Sequence, residues 1–423
     1  MYTRKRAPVP LFAFLFLSYC CAQTVVPKTL VAPILKDPST LQYLTTLLLG
    51  TPLRPETAVV HLGSSYTWLS STNYTSSTSR PVPCSSLLCT KADFTRCSDN
   101  GTCGVFPQSI HTADNAPLIQ DRVAIKSSDG HLNAFSDFTL AVAPSHLLKS
   151  LAATATGVAG LSRSDYSLPK QIFKQFGVLP KFTLCLTRSF RSPGVLFFGQ
   201  GPYLLQPGVN SLKGLAYTPL LTNPVSTAMV AEPGTPSHEY FIGVKAIRVG
   251  GKPVNFSASL LEIEPAHGDG GTKISTVDTY TRLHTSIYTA VIEAFAKEAK
   301  RMNMRRVPRV KPFGACYKPK SVGRTRTGPS VPLIELVMGN GEATWPIYGA
   351  NSMVEMSNGA LCLGFVDGGH RDGMTAGPVT SIEIGGHQLE DNVVEFDMEK
   401  SRVGLSSSLL LQQTTCADFK FLL

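Results

Sequence analysis

The sequence predicts an all-β protein with many tight turns and a few short helices. Three observations carry this expectation. The 423 residues are 43% hydrophobic, yet the apolar residues fall in short runs rich in β-branched side chains rather than in long helical stripes. Glycine and proline, at 35 and 30 residues, supply the turns that such a chain needs. The length accommodates two ordinary domains or one bilobal body, with a core in each half.

In chain order, residues 1–22 read as a secretory signal: Arg4, Lys5 and Arg6 are followed by a short apolar run over 11–17 and a small-residue cleavage site after Ala22. That run is far too short to span a bilayer, and no later segment is longer. A secreted, extracellular or wall-associated protein is expected. Residues 57–70 alternate apolar and small side chains, as a strand entering a turn does. Residues 181–186 and 195–198 read as strands, the second closed by Gly199. The stretch 203–236 is rich in Pro, Gly and Thr without periodicity, which puts a boundary there: an N-terminal lobe over 23–205, a connection over 206–236 and a C-terminal lobe over 237–423. Residues 240–254 hold two β-rich runs around Gly250-Gly251, a hairpin signal. Ile287, Ala290, Val291, Ala294 and Phe295 share one face of a helix over 286–301. Residues 333–338 and 361–366 are strands again.

Loss of the signal removes Cys20 and Cys21 and leaves eight of ten cysteines, which in a secreted chain suggests four disulfides. Cys84, Cys89, Cys97 and Cys103 are crowded and should pair locally. Cys185, Cys316, Cys362 and Cys416 should join distant strands. A zinc site is the alternative for the crowded four, disfavoured by the absence of any CxxC pair. Asn73, Asn100 and Asn255 each open a glycosylation triplet. Loss of Arg4, Lys5 and Arg6 lowers the net charge from +10 to +7. A basic secreted protein is attracted to acidic polymers such as pectic polysaccharide, although the same charge also serves solubility. The basic residues are dispersed except over 297–311, where Lys300, Arg301, Arg305, Arg306, Arg309 and Lys311 cluster. No aromatic residues interleave them as stacking platforms, which argues against nucleic acid.

Several stretches together carry a family likeness. Leu41-Gln-Tyr-Leu precedes Thr51-Pro-Leu. Gly157-Val-Ala-Gly-Leu-Ser and Leu168-Pro-Lys-Gln lead to Phe182-Thr-Leu-Cys185-Leu. Gly349-Ala-Asn-Ser-Met precedes Leu361-Cys-Leu-Gly, and Ile384-Gly-Gly-His-Gln-Leu-Glu-Asp-Asn precedes Phe396-Asp and Arg402-Val-Gly-Leu. Across the mature length the chain resembles the plant pepsin-like proteins that lack catalytic aspartates: extracellular dermal glycoproteins, basic seed globulins, and xylanase and xyloglucanase inhibitors. The resemblance implies the bilobal pepsin-like aspartic protease fold with a central cleft.

It also locates what is missing. His61-Leu62-Gly63 stands where a pepsin-like protease carries Asp-Thr-Gly, and Ser275-Thr276-Val277 stands at the second such site. Aspartic proteolysis needs two carboxylates sharing one proton, which a His and a Ser cannot reproduce. A competing register would put Asp278 at the second site, but Tyr280 would then replace a glycine that the tight turn requires. With Ser275 in place, Asp278 is expected to be a surface or capping residue. The flap region beginning at Cys103 has no tyrosine between Tyr74 and Tyr166 to close over substrate. A Ser275–His61 nucleophilic pair would further need an orienting group and oxyanion donors, and the sequence supplies neither. No metal or cofactor is implied.

The resemblance points instead to binding. In the inhibitor branch, loop arginines enter the acidic active site of a glycoside hydrolase. Arg326, with Arg324 beside it, matches one such position; Gln413 occupies the place of the second. A solvated basic loop is the alternative for Arg324 and Arg326. Three functional expectations follow: a proteinaceous inhibitor of a microbial xyloglucanase or xylanase, a storage or peptide-binding wall protein, and, disfavoured, an active aspartic endopeptidase.

Overall fold

The computed structural model describes residues 29–422 except 73, 202, 207–208, 211–213, 340, 342 and 372–376. The expected signal segment and Asn73 lie outside the described residues. The other two sequon asparagines, Asn100 and Asn255, are exposed.

Strands buried along most of their length build the N-terminal lobe. Tyr43–Leu49 pairs antiparallel with Leu30–Lys36 on one side and Arg54–His61 on the other. Two 12-residue strands, Ala116–Ser127 and Leu132–Ala143, form a long hairpin from Leu118↔Ala141 to Lys126↔Leu132, bulged between Asp121 and Val123. The C-terminal lobe repeats the theme with more irregular strands. Its hairpin Val244–Val249 to Lys252–Pro253 turns at Gly250 and Gly251, whose φ of 57° and 77° are those of a type I′ turn, to which side chains are poorly suited. The helix Thr285–Arg301 forms as expected. It buries Ile287, Val291, Phe295 and Ala299 at four-residue spacing, and the His284 side chain accepts from Ser286 N at its start.

The lobes meet in a six-stranded antiparallel sheet. Its order is Leu30–Lys36, Gly194–Phe198, Lys181–Cys185, Val393–Asp397, Arg402–Leu405 and Ala216–Leu221. The last strand lies inside the stretch that showed no periodicity: six residues give too little pattern to see. Phe182 stacks on Phe396 at 4.5 Å across this sheet, and one apolar core runs through both lobes.

The cysteines form Cys84–Cys97, Cys89–Cys103, Cys185–Cys416 and Cys316–Cys362. The crowded four pair among themselves, and thiols so bonded are not zinc ligands.

Candidate functional site

Each lobe brings one parallel strand pair to the cleft floor. Arg54–His61 runs beside Gly157–Gly160 with His61 opposite Gly160. Thr272–Ile274 runs beside Ile382–Ile384, and Ser275 N, next in the chain, donates to Ile384 O at 2.9 Å. Thr276 Oγ1 donates to Val60 O at 2.7 Å and accepts from Leu62 N at 3.2 Å. This contact joins the chain beside His61 to the chain beside Ser275 across the two lobes. On the other side Leu62 has no hydroxyl to return it.

His61 and Ser275 are both buried, and neither is arranged as a nucleophile pair. The Ser275 hydroxyl donates to Asp278 Oδ2 at 2.7 Å and accepts from Asp278 N, so its one proton is committed away from His61. Asp278 is thus half-buried and holds Ser275, rather than standing free at the surface. His61 Nδ1 accepts from Gly63 N at 3.0 Å, which requires the ring to be unprotonated there. Burial drives its pKa down to about 4, assisted by the Lys273 ammonium and opposed by Glu239 and Asp278.

A half-buried charge cluster lies beside His61. Lys273 Nζ lies 3.0 Å from Glu239 and 3.7 Å from Glu383. Burial pulls Lys273 down, but these carboxylates outweigh it and hold the pKa above its usual value. Burial raises Glu383 to about 7, against the pull of Lys273. The Glu239 carboxylate stands over Gly63 so closely that a Cβ there would meet it at 2.7 Å. Sequence reading missed this cluster because its three members are 110 to 144 positions apart in pairs with Glu383 and carry no motif.

The cleft is also covered. Gln108, in the flap region, donates from Nε2 to Gly63 O at 3.0 Å, and its backbone carbonyl accepts from Trp68 Nε1. The segment over 223–238 folds back onto it: Met229 N donates to Gln108 Oε1 at 3.4 Å, His238 pairs with Asp93 at 2.8 Å, and Thr227 hydrogen-bonds Glu239. Between this segment and Tyr66, Phe106 and Gln108 remains a void of about 30 Å³, room for a water or two but not for a peptide side chain.

The opposed titrations of His61 and Glu383 have a measurable signature. His61 is neutral in the fold and protonates in the unfolded chain below pH 6.5, so it withdraws stability as pH falls from 6.5 to about 4. Glu383 is protonated in the fold up to about pH 7 but ionised in the unfolded chain above 4.5, so it returns stability over nearly the same range. Relative to the parent, Glu383→Gln is expected to lose stability on acidification across that range by about 1.4 kcal/mol per pH unit. Urea unfolding at several pH values reads this directly; parallel parent and variant curves would contradict it.

Elsewhere, the structure gathers the binding candidates. Gly323–Thr325 and Gly328–Ser330 form a hairpin carrying Arg324 and Arg326, both exposed. Arg326 Nη1 reaches Leu411 O at 3.5 Å, in the turn Leu409–Gln412 that ends at Gln413. Gln413 is exposed with φ of 57°. Arg324, Arg326 and Arg188 line a recess of about 310 Å³ with Pro319, Val322 and Leu410. Arg188, which sequence reading passed over, is held by Asp391 at 2.7 Å. Nothing local marked it, since its partner is 203 positions on.

Residues 43–200 match the family described as xylanase inhibitor N-terminal, and residues 239–407 the one described as xylanase inhibitor C-terminal. The chain is 43% identical to a probable aspartic proteinase GIP2 of Nicotiana benthamiana, over 97% of both chains. The crystal structure of edgp superposes with a TM-score of 0.89 at 46% identity, covering 94% of this chain and 99% of that one. Basic 7S globulin from soybean gives 0.77 at 29% identity, covering 94% and 100%. An aspartic proteinase from Irpex lacteus, at 14% identity and a TM-score of 0.60 over 92% and 99%, shares the fold alone. With both halves matched in order on a pepsin-like frame, the chain belongs to the xylanase inhibitor family.

Proposed function

We propose that the mature chain is a secreted, proteolytically inactive pepsin-fold protein that inhibits a microbial cell-wall-degrading glycoside hydrolase, a xyloglucanase or xylanase. One observation carries this reading: the exposed Arg326 hairpin stands beside the turn ending in Gln413, at the mouth of an arginine-lined recess. Glycosidases present a pair of carboxylates at the scissile bond, and a guanidinium forks onto a carboxylate in bidentate fashion. The covered cleft and the absence of a dyad support binding over proteolysis.

Titrating the chain from Gln23 onward into a fungal xyloglucan-specific endoglucanase and a fungal xylanase tests it. Stoichiometric loss of initial rate with either is expected. Arg326→Ala should then weaken inhibition by about tenfold or more. No inhibition of either enzyme at micromolar protein would put the storage or peptide-binding reading first, which the likeness to basic 7S globulin favours.

The protease reading has its own test. The double substitution His61→Asp with Ser275→Asp restores both carboxylates but leaves Gln108, Lys273 and the covering segment in place. No pepstatin-sensitive cleavage at acid pH is expected from it. Efficient cleavage would show that the frame is otherwise competent.

A further inference from the structure

Between Ala299 and Ile334 the chain carries ten Lys and Arg residues and no Asp or Glu. The structure folds this segment against one small sheet of the C-terminal lobe. The helix Thr285–Arg301 delivers Lys300 and Arg301 at its end. Arg306–Val307 then pairs with Cys316–Tyr317, which pairs with Leu361–Leu363, and Met353–Glu355 closes the far edge.

One step beyond the Arg306↔Tyr317 pair, Lys318 N donates to Arg305 O at 2.8 Å. Arg305 and Lys318 are therefore directly opposed, with side chains on the same face. Like charges so placed destabilise a strand pair. No described carboxylate relieves them: of the ten, only Arg301 meets one in a described ion pair, with Glu298. Glu355, the acid within this sheet, sits on the opposite edge strand. Arg305, Arg306, Arg309, Lys311, Lys318 and Lys320 are all exposed. The backbone beneath them is fixed, by Cys316–Cys362 and by Ser321 Oγ, which accepts from Arg305 N and donates to Lys318 O.

A rigid cationic face that bears unrelieved repulsion is suited to a polyanion. Its aromatics, Phe313 and Tyr317, are each only 2% exposed, so bases would find no stacking platform. Repeated carboxylates need only the cations. We propose that this face binds an acidic polysaccharide of the polyuronate type. The proposal rests on the extracellular, wall-located reading above, but it needs no hydrolase and leaves Arg324 and Arg326 to their own contact.

The probe is polygalacturonate, titrated against the chain from Gln23 onward at low salt. Two triple variants of equal charge change are compared: Arg305→Gln/Lys318→Gln/Lys320→Gln on this face, and Lys126→Gln/Lys149→Gln/Lys174→Gln on exposed sites of the N-terminal lobe. The first is expected to bind about tenfold more weakly and the second within about twofold of the parent, with parent binding fading as salt rises. The thermal midpoint of the first variant should be unchanged or higher, because like-charge repulsion is removed, so lost binding is not lost folding. Fully methyl-esterified pectin should not bind. Equal loss in both variants, equal binding of the methyl ester, tighter binding of single-stranded RNA, or no binding of polygalacturonate would each overturn the proposal. Hydrolase inhibition by the face variant, measured in parallel, separates failure here from failure of the inhibitor reading.

Discussion

Glu390→Ala is expected to destabilise the fold by about 3–5 kcal/mol, because it strands a buried ammonium. Glu390 is 2% exposed and Lys36 9%. The two form an ion pair, Tyr43 donates to the same carboxylate at 2.8 Å, and His387 Nδ1 lies 3.3 Å from its other oxygen. The cluster ties the first described strand to the C-terminal lobe across 354 positions of sequence. Burial alone would raise the Glu390 pKa, but His387 and Lys36 overcome it and hold the carboxyl at about 2. A carboxyl lowered in the fold contributes stability that is complete above its ordinary value and fades as pH falls through the folded one. The window is therefore pH 4.5 down to about 2, and the amount about 3 kcal/mol. Equilibrium unfolding in urea across that window should show the parent losing stability that Glu390→Gln never had. Lys36→Met with Glu390→Leu should cost less than Glu390→Ala alone, since replacing both charges leaves nothing unpaired. A double variant as unstable as Glu390→Ala would mean that packing, not charge, dominates there.

Removing Cys185–Cys416 should be comparably severe. The bond spans 231 residues, and deleting such a cross-link costs about 2–5 kcal/mol. Its second consequence is local. Cys416 is anchored by Asp391 Oδ1 at 3.1 Å, Leu409 N by Asp391 O, and Phe419 by Phe197 at 5.1 Å. The disulfide is the covalent part of the anchor that holds the Gln413 turn against Arg326. Cys185→Ala with Cys416→Ala is therefore expected to lower the thermal midpoint and weaken hydrolase inhibition together. A large drop in midpoint with an unchanged inhibition constant would remove the Gln413 turn from the contact surface.

What the sequence revealed and concealed follows the range of the interactions. Gly250-Gly251 announced its turn because glycine adopts two successive positive φ values at little cost. The helix Thr285–Arg301 announced itself by spacing. The choice of Ser275 over Asp278 rests on Tyr280, which could not serve as the required glycine; in the fold, Thr276 beside it bonds Val60 O. Arg326 was visible only through family likeness. The residues that fill the cleft were invisible for a different reason. Lys273, Glu239 and Glu383 look like ordinary surface charges in sequence, and only folding gathers the two carboxylates around the Lys273 ammonium. The stretch 206–236 read as a connection because the contacts of its later part, to Gln108 and Glu239, are specific and polar rather than periodic and apolar.

The route of the disulfides sets how this molecule responds to a cut. Cys84–Cys97 and Cys89–Cys103 lie wholly before residue 206, and Cys316–Cys362 wholly after 236. Cys185–Cys416 alone of the four crosses that interval. A protease that severs the backbone over 206–236 outside the strand Ala216–Leu221 would therefore yield two polypeptides that remain one covalent particle, with the six-stranded sheet still shared between them. Such material would run as a single species until reduced and then as two, so its apparent subunit composition would report the redox history of the sample rather than its assembly.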